Sequence, residues 1–424
     1  MNKAENSYYR YCAMLMIVGF NAAYGQATHD QHPPASSSYN VRGALGLEAT
    51  DIYESGTGQH EYQLLPNVEL ELRYTHSDTL NIGLGFEYSR ELEGGNNSSP
   101  SEYTTSFTLD EAYLEIANRN DSVLVHNDTI LSLGRKRIRD SREWFYDTQV
   151  DGFIVQMMSS DESKHLFLSL NREQWINSDF LHHHDSDPVN NLIVAFEYQP
   201  QRKFDIGAFL IVRNDTSSEH DSPHFAGISA RADVLDNRLS FWTDFAAVDG
   251  EDGDEGIKGH GFDVGVTLKS TTEGMPYVTL SYAFGSGDGD EDTDFRQSGF
   301  QDNSGEFGGV TNFKYYGELL DPELSNLKIL TAGIGFRPRK KISMDLIYHR
   351  YEQDTPLDEL RDSSLPMAPN GQSSDIGTEW DLIAGFEHLG NIKIEIALGY
   401  FMPGAAFDDR SELMLLDTKI TYDF

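Results

Sequence analysis

From residue 39 onward the chain alternates apolar and polar side chains with a period of two. Tyr39, Val41, Leu45 and Leu47 hold one parity while Asn40, Arg42, Ala44 and Glu48 hold the other. Val68, Leu70, Leu72 and Tyr74 alternate with Asn67, Glu69, Glu71 and Arg73. After a turn at Ser77-Asp78, Leu80, Ile82, Leu84, Phe86 and Tyr88 alternate with Asn81, Gly83, Gly85, Glu87 and Ser89. A strand points successive side chains to opposite faces, so each run carries one apolar and one polar face. Runs of about ten residues suit strands tilted across a bilayer. Periodicity alone does not separate a soluble sandwich, whose polar face meets water outside, from a barrel, whose polar face lines a lumen. Further strands are expected near residues 103–116, 129–139, 151–159, 164–173, 190–199, 204–214, 222–233 and 238–248. Others are expected near 257–268, 276–286, 324–337, 341–353, 376–388, 391–402 and 411–424. With the first three they make eighteen, an even number as single-chain bacterial barrels require.

The connections alternate in length. Short turns fall at Ser77-Asp78, 199–203, Asp236-Asn237, 338–340 and Leu389-Gly390, and long polar loops at 92–102, 177–188, 250–256, 286–322 and 354–375. Short periplasmic turns and long extracellular loops are the asymmetry of outer-membrane barrels. The last strand puts Leu416, Thr418, Ile420, Tyr422 and Phe424 on one face and ends on that aromatic, which resembles an outer-membrane assembly signal. The expected fold is therefore all-β, an eighteen-stranded antiparallel transmembrane barrel with a lumen wide enough for an aqueous channel unless loops fill it.

Composition supports that architecture. The 424 residues include 24 Phe, 21 Tyr and 37 Gly, too many aromatics for a disordered chain. Residues 1–25 read as a secretory signal peptide: Lys3 and Arg10, the apolar run at 13–20, then Ala23-Tyr24-Gly25 for cleavage. Residues 26–424 are then one exported domain. The only cysteine, Cys12, lies in the signal, which leaves no disulfide or thiol chemistry. A net charge of -37 argues against nucleic acid as a partner and suits a lipopolysaccharide surface bridged by divalent cations. No cofactor is expected.

Against that acidity, residues 135–142 pack Arg135, Lys136, Arg137, Arg139 and Arg142 together. So dense a positive cluster requires counter-charges or an anionic ligand. Two arrangements satisfy it: a solvated turn paired with Asp140, Glu143 and Asp147, or a lumenal lining that meets something negative. Arg135, Arg137 and Arg139 share a parity with Leu131 and Leu133, which a regular strand would send to lipid. A bulge near Gly134 or inward-facing leucines would resolve this, and the sequence leaves both open. Arg42, Arg73, Arg213, Arg231 and Arg337 fall on polar parities, and Asp147 and Asp151 are natural partners for the cluster.

Two blocks carry a family resemblance. LGRKRIRDSREWFYDTQVDG (133–152) resembles the arginine-rich segment of the alginate export porins. The block at 285–327, with FRQSGFQDN, FGGVTNFKYYGE and LLDPELSNL, resembles the same family, as does DLIYHRY at 345–351. The resemblance implies an eighteen-stranded outer-membrane barrel passing an anionic saccharide such as a polyuronate through a lumen narrowed by arginines and lysines. It implies Arg296 and Lys314 on a loop folded into or over the pore, and Arg350, beside His349 in the matched run, among the lumenal cations. Partners so implied are the saccharide, outer-membrane lipid, the assembly machinery and periplasmic polysaccharide-synthesis proteins. Arginine fits carboxylates because its planar fork stays charged.

Other chemistry is less well supported. Asp288, Asp290, Asp292 and Asp294 alternate like a calcium loop, but Thr293 stands where Gly is needed. Asp249, Glu251, Asp252, Asp254 and Glu255 read as a solvated loop, as do His182, His183, His184 and Asp185. No motif ties Ser281 to His260 as a hydrolase would require. A general or uptake porin for small anionic solutes and a plugged structural barrel or adhesin are the remaining alternatives.

Overall fold

The computed structural model describes residues 37–76, 79–95, 103–118, 127–175, 177–182, 189–216, 221–253, 255–287 and 294–424. The expected signal at 1–25, the Ser77-Asp78 turn, His183, His184, Asp185, Asp254 and the run from Asp288 to Asp292 lie outside these residues. The strands are β1 (Ser37–Glu54), β2 (His60–His76), β3 (Leu80–Gly95), β4 (Tyr103–Asn118), β5 (Asn127–Arg139), β6 (Asp147–Ser159) and β7 (Lys164–Arg172). Next come β8 (Val189–Gln201), β9 (Phe204–Asp215), β10 (Ser222–Val234), β11 (Leu239–Asp252), β12 (Glu255–Lys269) and β13 (Tyr277–Gly285). The last are β14 (Ser304–Gly305), β15 (Phe313–Lys314), β16 (Leu327–Arg339), β17 (Ile342–Gln353), β18 (Asp375–Leu389), β19 (Ile392–Pro403) and β20 (Leu413–Asp423). All but β14 and β15 belong to one 18-stranded sheet. Each barrel strand pairs antiparallel with its successor, β13 pairs with β16, and β1 pairs with β20 to close the cylinder.

The outside of this cylinder is apolar. Leu114, Ile116, Leu131, Leu133, Leu166, Leu170, Val278, Leu280 and Leu346 are exposed, while the intervening Ser132, Ser169, Thr279 and Asp345 are buried. That inverts a water-soluble sheet and decides between the two architectures the alternation allowed. Among the described residues no helix is long and apolar enough to cross a membrane. The terminal aromatic helps close the seam. Phe424 and Gly43 exchange backbone hydrogen bonds of 2.9 and 3.0 Å, and the ring covers Gly43 where any Cβ would lie 2.3 Å from it.

Two connections differ from expectation. The acidic stretch at 250–256 is no long loop: β11 runs to Asp252 and β12 begins at Glu255, so Asp249, Glu251 and Asp252 sit at a strand end. The long loop between β13 and β16 does not stay outside. Its described residues 294–326 pass down the lumen to the end of the barrel that carries the short turns. There Gly308 lies against the Tyr277 ring and the Val310 amide donates to the Ser343 hydroxyl at 3.0 Å. Phe295, Phe307, Phe313, Tyr315, Tyr316, Leu319, Leu320 and Leu324 are buried in this inserted segment. It carries its own small hairpin, β14 with β15, and just beyond it the Leu319 and Leu320 amides donate to Glu379 at 2.6 and 3.2 Å. One side of the lumen is thus a packed core rather than water.

Candidate conduction path

The β5–β6 hairpin leaves the wall. Its own ladder is unbroken from Asn127↔Ser159 to Arg139↔Asp147, but β4 follows β5 only as far as Ala112↔Arg135. At the departure point Gly134 has φ 124°, and a Cβ there would lie 2.1 Å from the Ala112 carbonyl. Its partner Gly152 is equally confined, since a Cβ would meet the Leu170 carbonyl at 2.3 Å. Glycine is required where backbones approach this closely. Leu131 and Leu133 therefore keep their outward direction (Leu133 is 56% exposed), and the arginines of the same parity lie beyond the bend. The structure resolves the register conflict at Gly134 with neither leucine turned inward.

The hairpin tip lies inside the barrel. Asp140 caps it: Oδ1 accepts from the amides of Arg142 and Trp144, Oδ2 from those of Phe145 and Tyr146, at 2.7–3.2 Å. The ring of Phe145 packs 4.6 Å from Phe209 and 5.6 Å from Phe225, and Trp144 Nε1 donates to the Tyr316 hydroxyl at 2.8 Å. Arg142 reaches furthest, donating to Asp244 on β11 at 3.0 Å and Asp263 on β12 at 3.1 Å. Its guanidinium is sandwiched between Trp242 and Tyr315, 4.7 and 4.5 Å from their centroids. Arg142 is an anchor, not a pore-lining cation.

Most other cations are paired with acids. Arg135 donates to Asp151 at 3.2 Å; Lys136 contacts Glu115 at 2.5 Å and lies over the Tyr113 ring. Arg137 grips Asp147 with Nε and Nη2, and Arg139 reaches Glu143 at 3.3 Å. Both remain open, with side chains 52% and 62% exposed. On the inserted loop, buried Arg296 bridges Asp221 and Asp252, and Lys314 joins Asp302 and Asp321. Arg213 pairs with Glu173 and Arg231 with Asp244. Arg73 pairs with Glu71, Arg42 is exposed at the start of β1, and Arg337 donates to the Lys340 carbonyl at 2.6 Å by the short turns. Arg350 departs from its expected lumenal place. It shares the outward parity of Leu346, held by Asp375 at 3.0 Å, because strict alternation gives the inward place to buried His349.

Ser281 shares the inward parity of Thr279, whereas His260 has the outward parity opposite to buried Ile257. They occupy different faces of the wall and form no dyad. The residues missed from sequence are those that receive the hairpin: Asp244, Asp263, Trp242, Tyr315 and Tyr316. The aromatic density of 295–320 was the available signal, since a solvated loop has no use for it.

The lumenal loops titrate unusually. Burial, then Asp147 and Asp302, push Glu143 up to about 7. Burial, then the neighbouring acids Asp321 and Glu379, take Glu318 to about 8, and burial takes Glu323 to about 7 against Arg361. An acid whose folded pKa is raised adds stability below its unfolded value, near 4.5, and loses it as pH climbs through the folded value. Amide exchange in residues 314–324, corrected for intrinsic rate, is expected to quicken as pH rises from 4.5 toward 8. A profile flat across that window would contradict these loop energetics.

A closed eighteen-strand cylinder with an apolar exterior and a charged interior defines an outer-membrane channel of the porin type. The solved porins agree in fold. OccK7 (OpdD) of Pseudomonas aeruginosa superposes with a TM-score of 0.60 at 12% identity, covering 92% of this chain and 99% of that one. OccK5 (OpdH) of the same organism gives 0.57 at 9% identity, over 91% and 98%. The alginate export family model matches residues 56–414, and the chain belongs to that family. The alginate production protein AlgE of Azotobacter vinelandii is 32% identical over 116 residues, 25% of this chain. That match spans about a quarter (24%) of the relative's length.

Proposed function

We propose that the protein conducts an anionic polysaccharide or oligosaccharide of the polyuronate class across a Gram-negative outer membrane. The observation that carries this reading is the β5–β6 hairpin, which brings Arg137 and Arg139 off the wall and leaves them half exposed. The name of the family and of the relative, both concerned with alginate, supports the same cargo class. The inward parity of β1 to β4 faces the lumen with Glu48, Glu69, Glu71, Glu87 and Glu115. Fixed cations beside fixed acids attract a polyanion without trapping it, and release is what conduction needs. The start of β1 and the end of β20 lie at the short-turn rim, which is read as periplasmic, with the long loops outside. Assembly machinery and periplasmic polysaccharide-synthesis proteins are the partners this reading calls for.

Reconstitution in planar bilayers tests the cargo. Polyuronate oligosaccharides are expected to interrupt the current, while neutral oligosaccharides of equal length pass unnoticed. If no anionic oligosaccharide alters the current, the reading fails.

A further inference from the structure

Where β5 departs, the wall above Ala112 loses its next strand, yet it does not gape. Residues 178–180 of the β7–β8 connection take the vacant place beside β4. The Leu109 amide donates to the Ser178 carbonyl and the Phe180 amide to the Phe107 carbonyl, both at 2.8 Å, around an antiparallel Thr108↔Asp179 bridge. The short segment alternates as a wall strand does. Asp179 is buried, while Phe180 is 54% exposed with its ring 5.2 Å from that of Phe107, continuing the apolar exterior. Asp179 fixes the turn that follows: Oδ1 accepts from the Leu181 amide at 2.8 Å, and Oδ2 lies 2.9 Å from His182 Nδ1. The other edge is tied to the displaced hairpin, since the Trp175 amide donates to Asp151 Oδ2 at 2.7 Å while Asp151 Oδ1 holds Arg135.

We propose that residues 178–180 are a surrogate wall strand whose pairing with β4 keeps the β5–β6 hairpin inside the lumen, making Asp179 and Asp151 positioning residues for the conduction path. The argument is one of occupancy. An unpaired edge of β4 would leave backbone groups unsatisfied within a lipid-facing wall, so either β5 or a substitute must lie beside it. With the substitute in place β5 cannot return, and the hairpin with Arg137 and Arg139 stays in the passage. Without it, β5 can rejoin β4 and the passage widens. The inference rests on the hairpin bordering the conduction path, but not on the identity of the cargo.

The test uses the full chain and potassium chloride alone, so its outcome is separate from that of the polyuronate experiment. In a Cys12→Ser background, Thr108→Cys with Asp179→Cys places two thiols at a directly opposed, non-hydrogen-bonded pair. Such pairs hold their Cα atoms about 4.5 Å apart, within disulfide range. The oxidised channel is expected to conduct as wild type; reduction of the same folded molecules is expected to raise unitary conductance about twofold and weaken ion selectivity. Asp179→Ala should match the reduced state, and Asp179→Asn, which keeps an acceptor, should stay closer to wild type. Equal conductance and selectivity in the oxidised and reduced channels would overturn the proposal, even if Asp179→Ala fails to fold.

Discussion

Arg142→Ala is expected to loosen the lumenal hairpin more than any other single change. Arg142 bonds the tip directly to both Asp244 and Asp263, and both carboxylates are almost fully buried. Removing one partner from a buried ion pair costs about 3–5 kcal/mol, because the remaining charge has lost its compensation. The loss is softened by Arg231, 2.8 Å from Asp244, and by Trp242 Nε1, 2.8 Å from Asp263. A lower melting temperature in detergent and a noisier open-channel current are the expected readouts. Arg142→Lys keeps the charge but cannot bridge two carboxylates with one planar fork, so it should recover only part of the stability. Wild-type melting and current noise in Arg142→Ala would show that the aromatic packing of Trp144 and Phe145 suffices.

Charge reversal of Arg137 and Arg139 together is expected to turn the channel toward cations. Both side chains are half exposed, and their removal leaves Glu143, Asp147 and Asp302 with carboxylate oxygens within 4.8 Å of one another. The reversal potential across a salt gradient should shift in the cation direction, with glutamine at both positions giving an intermediate shift. The shift should shrink as salt rises, since the screening length falls from about 10 Å at 0.1 M to about 3 Å at 1 M. An unchanged reversal potential at low salt would place both arginines off the ion path. Arg135 is unsuited to this experiment: its buried bond to Asp151 ties hairpin position to charge.

The barrel was legible because membrane strands obey a local rule. The eighteen strands were legible from period-two alternation, and the structure turned its apolar face outward, as at Val68, Leu70 and Leu84. Strand ends were less legible. Nothing local distinguishes the acidic end of β11 from a solvated loop, because its Asp252 is satisfied by Arg296 from a distant segment. Arg350 misled for a similar reason: motif membership says nothing of parity, and its neighbour His349 already occupied the inward place.

By itself, then, the sequence determined the strand number, the apolar and polar faces of each strand and the presence of a concentrated positive segment, all properties of neighbours a few residues apart. Only the tertiary structure decided that β5 and β6 bend off the wall at Gly134 and Gly152, that the 294–326 segment fills one side of the lumen, and that Arg142 is consumed as an anchor. Those outcomes depend on partners more than a hundred residues away, as Arg142 with Asp244 and Asp263 shows, and no periodicity within one strand encodes them.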